Sequence, residues 1–319
     1  MQITDYKNDA QKSMSAKEFK EEYEKGRRDF SDVAFETGMD LRGVVLWYAN
    51  FTDANLTKVD FSGAELNEPN FTGANLTKVD FSGAKLSKAN FTGANLIKAN
   101  FSGAHLYEPQ FTRAQLDEAN FGDHFFLNAV DFSGASLYRA NLSDGSLGYT
   151  KFIDANLLEA NLSGAVAWGA DFSGSNLNNA YLIGTDLSDA RLVKVYLSGA
   201  NLRDANLHNA NLHAANLYRA NLRDVNLYQA NLSFADLLYA DLGNVSLKSA
   251  NFRRADLSHA NLINATNLEH AIDIEYAIFE HTCVTNRQKK IIMDARNNLE
   301  TVRMQFNVNG PYTRIPIRE

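Results

Sequence analysis

The sequence predicts an all-β solenoid, in which one chain winds into about twelve stacked coils. Three observations support this prediction. A large apolar residue recurs at every fifth position, a small residue stands two positions before it, and segments twenty residues apart are near copies of one another. The stretches that begin at Asn50 and Asn70 read NFTDANLTKVDFSGA and NFTGANLTKVDFSGA. The repeat therefore has a period of five inside a period of twenty.

The five-residue period excludes a regular helix and a flat strand. Leu or Phe occupies every fifth position from Leu41 to Phe121 and, after a slip of one residue, from Phe132 to Leu262, with the exception of Ala167. Five helical steps of about 100° move an apolar stripe off any fixed face. An odd period also reverses the face of a strand at each repeat. Each unit is therefore expected to be a short extended piece followed by a corner.

Four such units close a square coil of twenty residues, which explains why the copies stand twenty residues apart. Phe and Leu alternate strictly from Phe51 to Phe121, so the phenylalanines are expected to stack on two opposite sides. Neighbouring coils are expected to pair through backbone hydrogen bonds at roughly 4.8 Å, which gives a rod on the order of 60 Å long.

The unit A(N/D)(L/F)xx, sustained over about four fifths of the chain, resembles the pentapeptide-repeat family. The resemblance implies a right-handed quadrilateral parallel β-helix with the central Leu or Phe and the preceding Ala facing inward. It also supplies a functional alternative, because some members are proposed to mimic DNA and bind DNA gyrase. Family members also dimerise through a terminal coil.

Helical segments are predicted at both ends, and they divide the chain into three parts. Residues 1–28 form an N-terminal segment with a helix at about 16–25, and residues 29–279 form the β-helix. Residues 280–319 form a C-terminal helix, at about 286–303, and a tail. Ser15 and Glu18 have the spacing of a capping box, as do Thr285 and Gln288.

The C-terminal helix is predicted to lie on the last coil through one apolar stripe. The stripe consists of Ile291, Ala295, Leu299 and Val302. A monomer is favoured, and the alternative is a homodimer formed through an end coil or this helix.

The repeat is interrupted near Met39, within residues 122–130 and near Thr266, and each interruption inserts one residue. A bulge or small loop is expected at each place. His124 is placed in an inward small-residue position. Ala167 leaves a space where a Leu would stand, with Trp168 folding over that corner, and the sequence does not settle whether a ligand fills it.

Nothing in the sequence predicts catalysis, a metal site or a cofactor. The seven histidines are scattered, the P-loop and GxGxxG patterns are absent, and a convex rod does not gather unlike groups in a cleft. The single cysteine, Cys283, is expected to be a buried structural thiol. No apolar segment approaches a membrane span, and a lone cysteine fits a reducing compartment, so a bacterial cytoplasmic location is predicted.

Charge weighs against DNA mimicry. Residues 30–279 contain 27 acidic and 17 basic side chains, whereas duplex DNA of the same length carries on the order of 35 negative charges. Lys58, Lys78 and Lys98 also recur at twenty and form a basic stripe. The preferred function is a non-catalytic scaffold for an unidentified protein partner, without direct binding to nucleic acid or membranes. The alternative is a gyrase-binding protein.

One side of the rod is the candidate partner-binding face, because its outward positions are apolar or aromatic over several coils. The alternative is that these groups cover ladder edges or are tolerated singly. The candidate residues are Tyr138, Leu158, Tyr196, Tyr218, Arg219, Leu238 and Tyr239.

Overall fold

The computed structural model describes residues 13–122 and 125–306, with side chains as far as residue 297. Two α-helices, α1 (Ala16–Glu24) and α2 (Asn286–Phe306), flank the repeats. Most of the β-structure consists of single-residue bridges, together with four short strands and two 3₁₀ helices. The strands are β1 (Val45–Trp47), β2 (Glu65–Asn67), β3 (Lys85–Ser87) and β4 (His105–Tyr107), and the 3₁₀ helices are Leu268–His270 and Ile274–Tyr276.

The repeats form a four-sided parallel β-helix, as predicted. Parallel bridges join residues twenty apart, such as Asn50 with Asn70 and Asn201 with Asn221. The four sides are numbered here by their inward residues. Leu46 lies on side 1, Phe51 on side 2, Leu56 on side 3 and Phe61 on side 4, and these four side chains are buried.

Most corners are tight turns that a hydrogen bond closes. After Phe51, for example, the Ala54 N–H donates to the Phe51 carbonyl at 3.0 Å. Asp53, between them, has a left-handed φ of 54°, a conformation that a turn of this kind demands at its third position. Where Asn or Asp precedes the inward residue, its side chain reinforces the corner: the Asn50 side-chain oxygen, for example, accepts the Thr52 N–H at 3.2 Å.

The same polar residues also link the coils. The Asn70 side-chain amide donates to the Asn50 oxygen at 3.3 Å, and the Asn221 amide donates to Asn201 at 3.0 Å. The accepting side-chain oxygen is common to Asn and Asp, which explains why the unit usually carries one of them at that place, and Asn alone also donates to the neighbouring coil.

Two stacks of phenylalanine fill the interior of the first coils. On side 2 the rings of Phe51 and Phe71 lie parallel with centroids 5.2 Å apart, and on side 4 Phe61 and Phe81 are 5.3 Å apart. The stacks meet edge to face, as between Phe71 and Phe81 at 5.8 Å. Beyond Phe172 the interior is mainly leucine. The predicted stacking of Phe on opposite sides is confirmed.

Side 1 of the first coils has a different corner from the rest. Its inward residues lie in β1–β4, which pair in parallel in the order β1-β2-β3-β4. Within this described part of the chain, no turn hydrogen bond closes the corners after these four strands. Pro69 and Pro109 occupy two of these corners, where a residue without an N–H loses no bond.

Helix α1 covers the N-terminal end of the rod. Ser15 and Glu18 form the predicted capping box, with Glu18 N–H donating to the Ser15 hydroxyl at 3.3 Å. Phe19 is fully buried and its ring lies 4.7 Å from that of Phe30. The Tyr23 hydroxyl accepts the Trp47 N–H at 2.6 Å and donates to the Trp47 carbonyl at 3.2 Å. The free edge of β1 is thereby covered, which limits pairing with other chains.

Helix α2 covers the C-terminal end in a comparable way. The predicted capping box is present, since the Thr285 N–H donates to Gln288 Oε1 at 2.7 Å. The buried Gln288 amide also donates to the carbonyls of Leu262 and Ala265, each at 2.8 Å. Ile292 is buried, while Ile291 and Ala295 of the predicted stripe are half-buried against the core.

The rest of the predicted stripe, Leu299 and Val302, lies outside the described side chains. The boundary at residue 279 remains a prediction, and bridges continue beyond it, with Asn261 pairing with Cys283. Cys283 itself is exposed. The expectation of a buried thiol was wrong because the residue occupies the outward position before Val284, where other coils carry Asn or Asp.

The interruptions act as single-residue insertions, with one correction. The bridge spacing changes from 21 to 20 between Ala34 and Asp40, and residues 110–120 pair at a spacing of 21. After Thr266 there are two insertions rather than one, since the spacing reaches 21 at Ile272 and 22 at Ile278. Each coincides with one of the 3₁₀ helices.

The middle insertion changes the predicted occupant of an inward position. Phe125 fills the small-residue position and is buried, whereas His124 lies outside the described residues. Gly145, one coil later, lies directly beneath the Phe125 ring, so that a Cβ there would collide with it. A large residue in a small position is thus accommodated by a glycine in the next coil.

Candidate functional site

The seven candidate residues all lie on side 3, but the structure does not bring all of them together. Tyr218, Arg219 and Tyr239 form one contact group: the Tyr218 and Tyr239 rings meet edge to face at 6.0 Å. The Arg219 guanidinium lies 5.0 Å from the Tyr218 ring centre and 5.7 Å from that of Tyr239. These distances are those of cation–π contacts.

Two histidines extend this group toward the C-terminal end. The Tyr239 ring stacks on His259 with centroids 4.7 Å apart, and His259 stacks on His281 at 5.0 Å. Residues Tyr218, Arg219, Tyr239, His259 and His281 are called the Tyr–Arg–His column below. It spans four successive coils, and its side chains project from the corner that follows side 3.

The other four candidates are less closely associated. Tyr138 and Leu158 are half-buried several coils before the column, and Arg139 lies 4.8 Å from the Tyr138 ring centre. Leu238 is half-buried beside Tyr239. Tyr196 is 51% exposed, but it stands before its inward leucine, in the row that pairs Asn176 with Tyr196 and then Asn216. The site that the geometry supports is therefore smaller than the predicted face.

The backbone positions the column. Arg219, Tyr239, His259 and His281 each stand two residues after an inward residue of side 3 and have left-handed φ values of 56°, 62°, 57° and 53°. The side chains of successive coils therefore leave the corner in the same direction, one coil apart. This arrangement produces the ring stacking without any element beyond the repeat itself.

His259 and His281 were not predicted from the sequence. A usable signal existed for His259, because it follows Arg219 and Tyr239 at the same step of twenty. His281 was hidden by the two insertions after Thr266, which place it 22 residues after His259. Without the positions of those two insertions, a count by twenty does not assign His281 to the same corner as His259.

Earlier in the chain, the same corner of side 3 carries charges of both signs. Lys58, Lys78 and Lys98 begin the row, and Lys98 pairs with Glu118 at 3.1 Å. Arg139 and Glu159 pair across the next two coils at 2.6 Å, and this contact raises the pKa of the Arg139 guanidinium through its hydrogen bond to the Glu159 carboxylate. The row therefore changes from an ionic surface, partly paired across coils, to an aromatic one.

Within the described ranges, no three His, Cys, Asp or Glu side chains gather in a way that could hold a metal ion. In the same part of the chain, no helix is long and apolar enough to cross a membrane. Ala167 is fully buried, and the Trp168 ring packs edge-on against Tyr149 at 4.3 Å, over the backbone of Gly148. Trp168 thus folds over its corner as expected, and occupancy by a ligand at Ala167 remains untested.

The fold and the outward columns define a repeat solenoid, a class of protein whose interior sets its shape and whose corners carry variable groups. The model described as "Pentapeptide repeat region" matches residues 44–121, and "Pentapeptide repeats (8 copies)" matches residues 155–192, 190–229 and 226–264. The chain belongs to the pentapeptide-repeat family, and its four-sided parallel ladder is the quadrilateral β-helix that the resemblance implied.

Several solved structures are similar. HetL, a pentapeptide repeat protein involved in heterocyst differentiation regulation from the cyanobacterium Nostoc sp. strain PCC 7120, is 29% identical, with 85% of this chain and 94% of that chain covered and a TM-score of 0.49. Full-length QnrB1, a plasmid-mediated fluoroquinolone resistance protein, is 18% identical, with coverage of 81% and 99% and a TM-score of 0.28.

A pentapeptide repeat protein of the Arabidopsis thaliana thylakoid lumen is 29% identical, with coverage of 36% of this chain and 63% of that chain and a TM-score of 0.15. No curated protein matches the chain.

Proposed function

We propose that this protein is a non-catalytic scaffold that binds a protein partner through the Tyr–Arg–His column. The observation that carries the proposal is the continuous contact from Tyr218 and Arg219 through Tyr239 to His259 and His281. Tyr and Arg are enriched among the residues that dominate protein interfaces. Stacking also holds these side chains in place before binding, which lowers the entropy cost of ordering them.

The surroundings of the column support a protein partner rather than a substrate. Its side chains lie on a convex corner, and Tyr239 is 46% exposed. Such a surface does not exclude water or converge on a reacting atom, which catalysis requires. An aromatic and cationic patch with half-buried neighbours such as Leu238 has the composition of an interface core.

The charge arrangement favours the scaffold over DNA mimicry and gyrase binding. Carboxylates on several sides are paired with cations from the same or a neighbouring coil, including Glu118, Glu159 and Asp171. Basic groups interleave with the acidic ones along the rod. A surface of this kind lacks the regular negative field of duplex DNA.

The location and assembly state follow the same proposal. We propose a monomer, because α1 and α2 cover the two ends that would otherwise pair with another rod. We propose a cytoplasmic location because a single cysteine fits a reducing compartment. Sedimentation at micromolar concentration is expected to give a mass near the 35.5 kDa of one chain. A stable species of twice that mass would favour the homodimer.

The test compares partner capture by wild type and by Tyr218→Ser/Tyr239→Ser. The matched control is Tyr181→Ser, which changes a tyrosine that is 53% exposed on side 4. Proteins retained from native lysate by wild type and the control, but lost from the double variant, would support the column as the binding surface. Identical sets for all three proteins would refute it, provided that circular dichroism shows the same fold.

A supercoiling assay separates the alternative function. Purified gyrase is expected to keep its activity when the wild-type protein is present at micromolar concentration. Inhibition, or protection against a gyrase-directed drug, would favour the gyrase-binding hypothesis and would shift the search toward the acidic parts of the rod.

A further inference from the structure

Two aromatic rings from neighbouring coils cross on the outer face of side 1. The Tyr149 ring extends toward the C-terminal end and lies over Gly169, where an added Cβ would stand only 2.8 Å from Tyr149 Cδ1. The Trp168 ring extends the opposite way and lies over Gly148, where an added Cβ would stand 2.8 Å from Trp168 Nε1. Each ring thus occupies room that a glycine in the other coil leaves open.

Tyr149 and Trp168 are called the Trp–Tyr platform below, and the platform faces solvent. The two rings meet edge to face with centroids 4.3 Å apart, and the side chains are 57% and 40% exposed. In the part of the chain whose side chains are described, the Trp168 indole N–H has no hydrogen-bond partner. The platform therefore offers ring surface and one donor to a bound molecule.

Three other outward ring pairs, all in later coils, each have a cation of their own. In these pairs the cation lies 5.9, 5.5 and 5.0 Å from a ring centre, which is the range of cation–π contacts. The pairs and their cations are His208–Tyr228 with Lys248, His213–Phe234 with Arg254, and Tyr218–Tyr239 with Arg219. No described cation lies over the Trp–Tyr platform. It is an outward ring pair whose cation would have to come from another molecule.

The charge of this face also favours a cation. From the coil of Leu106 to the coil of Leu227, the outward positions of side 1 carry no Lys or Arg. Their carboxylates are Glu108, Asp186 and Asp189, and none of the three belongs to an ion pair in the described part of the chain. A positively charged group that approaches the platform therefore meets carboxylates without meeting a like charge on this side.

One of these carboxylates, Asp189, stands at the end of the platform. It follows Tyr149 and Gly169 in one corner row, and the three residues have left-handed φ values of 57°, 64° and 57°. Because the Tyr149 ring already lies over Gly169, the Asp189 side chain is the next in the row, roughly 4.8 Å further along. The Asn209 amide donates to Asp189 Oδ1 at 2.6 Å, and Oδ2 has no described partner. That bond orients the carboxylate and leaves one oxygen for a ligand.

We propose that the Trp–Tyr platform and Asp189 bind an arginine side chain in an exposed segment of a partner protein. The guanidinium lies over the rings and donates to Asp189 Oδ2. A guanidinium is planar, stacks on aromatic faces and carries several N–H donors, so it suits a ring pair that ends at a carboxylate. The Trp168 indole N–H donates to a backbone carbonyl of the same segment. The exposed side chain of Val166, beside Trp168, contacts apolar residues that flank the arginine.

This surface is separate from the Tyr–Arg–His column. It lies on side 1 rather than side 3, and it takes a cation from the partner, whereas the column presents its own Arg219. The inference therefore does not rest on the proposed function of the column, and the two proposals fail separately.

The first measurement is the fluorescence of Trp168 during titration with a peptide. The chain has two tryptophans, so Trp47→Phe serves as the parent protein in which Trp168 is the sole emitter. The probe is acetyl-Gly-Gly-Arg-Gly-Gly-amide. The matched control is the same peptide with citrulline, which keeps the shape of arginine without its charge.

The arginine peptide is expected to bind the parent protein at least about tenfold more tightly than the citrulline peptide. The difference is expected to shrink when the salt concentration rises from about 0.05 M to about 0.5 M, because salt screens exposed charges. Equal affinity for the two peptides at low salt would overturn the proposal. A dissociation constant above about 10 mM for the arginine peptide would overturn it too.

Variants of the parent protein locate the bound arginine. Asp189→Asn keeps an oxygen for the Asn209 amide but removes the charge, and Tyr149→Leu removes one ring. Each is expected to weaken binding of the arginine peptide by about fivefold to tenfold. The matched control is Asp224→Asn on side 4, since Asp224 also accepts an amide of the next coil, that of Asn244, at 3.0 Å.

The control variant is expected to bind the peptide like the parent protein, and circular dichroism checks the fold of each variant. Unchanged binding by Asp189→Asn would refute the carboxylate contact and with it the proposal. An equal loss in Asp189→Asn and Asp224→Asn would also refute it, because the peptide would then respond to the overall negative charge of the rod rather than to this site.

Discussion

The coils before the insertion within residues 122–130 and the coils after it build the same square cross-section in two different ways. Before it, Phe stacks fill sides 2 and 4, and the corners of side 1 are open. After it, leucine gradually replaces phenylalanine and the side 1 corners of the regular coils are closed, as at Leu147 and Leu207. Coil height and period are thus conserved while interior and corner vary. The difference becomes visible only at the junction, where the two corner types meet and pairing fails.

The largest expected difference between the two regions concerns the interior. Phe71→Ala removes a ring that is stacked on Phe51 and Phe91 and edge-on to Phe81, and it is expected to lower the free energy of unfolding by about 3–5 kcal/mol. Leu217→Ala in the later coils is expected to cost about 1 kcal/mol less, because no aromatic pairs are lost. Urea unfolding checks both, and equal losses would show that stacking adds nothing to burial.

The junction itself is tested by Gly145→Ala. The new methyl group would collide with the buried Phe125 ring, and overpacking of this kind costs about 1–3 kcal/mol. The double variant Gly145→Ala/Phe125→Ala is the control, since a smaller side chain at 125 removes the collision. Unfolding free energies are expected to be strongly non-additive. Simple additivity would mean that the glycine does not accommodate the ring.

The corners provide a matched pair of proline substitutions on side 1. Ala210→Pro removes an N–H that donates to Leu207 O at 3.1 Å, and it is expected to cost about 1–2 kcal/mol. Ala89→Pro, at the equivalent open corner, loses no described bond and is expected to change stability by less than about 1 kcal/mol. Both follow a residue with left-handed φ, as Pro69 already does.

Thermal unfolding of the two proline variants is the measurement. If Ala89→Pro proved as damaging as Ala210→Pro, the distinction between open and closed corners would lose its energetic meaning.

The smallest expected effect is a loss of folding stability at acidic pH. On side 4 the first coils carry Asp40, Asp60 and Asp80 where the next coils carry Asn. Hydrogen bonds from the Arg42 guanidinium hold the pKa of Asp40 well below its ordinary value. Since the pKa is lowered on folding, the stabilisation is complete above about pH 4 and is lost progressively as the pH falls further. Asp40 is exposed, so the loss is small.

NMR titration of the Asp40 carboxyl in wild type and in Arg42→Leu checks this effect. The Asp40 carboxyl of the variant is expected to titrate at a higher pH than in wild type, but still below the ordinary aspartate pKa, because the backbone N–H of residue 42 continues to donate to Asp40 Oδ1 at 3.0 Å. An unchanged titration would mean that Arg42 does not control the carboxyl.

The sequence predicted the fold because the interior repeats strictly. Phe71 and Leu76 are inward for the same reason as their copies one coil away, so the count by five and by twenty is sufficient. The open corners were not predicted, although Pro69 and Pro109 carried a signal: a proline cannot close a turn through its own N–H. Cys283 was misjudged because its position depends on insertions that the count did not resolve.

The site was predicted only in part, since outward residues do not repeat. Tyr218, Arg219 and Tyr239 were found from their clustering, but the contacts that select them from among the other candidates depend on corner direction. The loss of side 1 pairing between residues 104–108 and residues 125–128, seen among the described residues, could not be predicted from the sequence, because it depends on how two corners of different shape stack.

The end caps have one consequence for how such a chain can evolve. Tyr23 covers the first strand edge and Gln288 covers the last carbonyls, and neither contact depends on how many coils stand between them. Duplication of a twenty-residue coil would therefore lengthen the rod by one increment of roughly 4.8 Å without disturbing either end. The distance between two binding surfaces on such a rod would therefore change in discrete steps of one coil as coils are duplicated or lost during evolution.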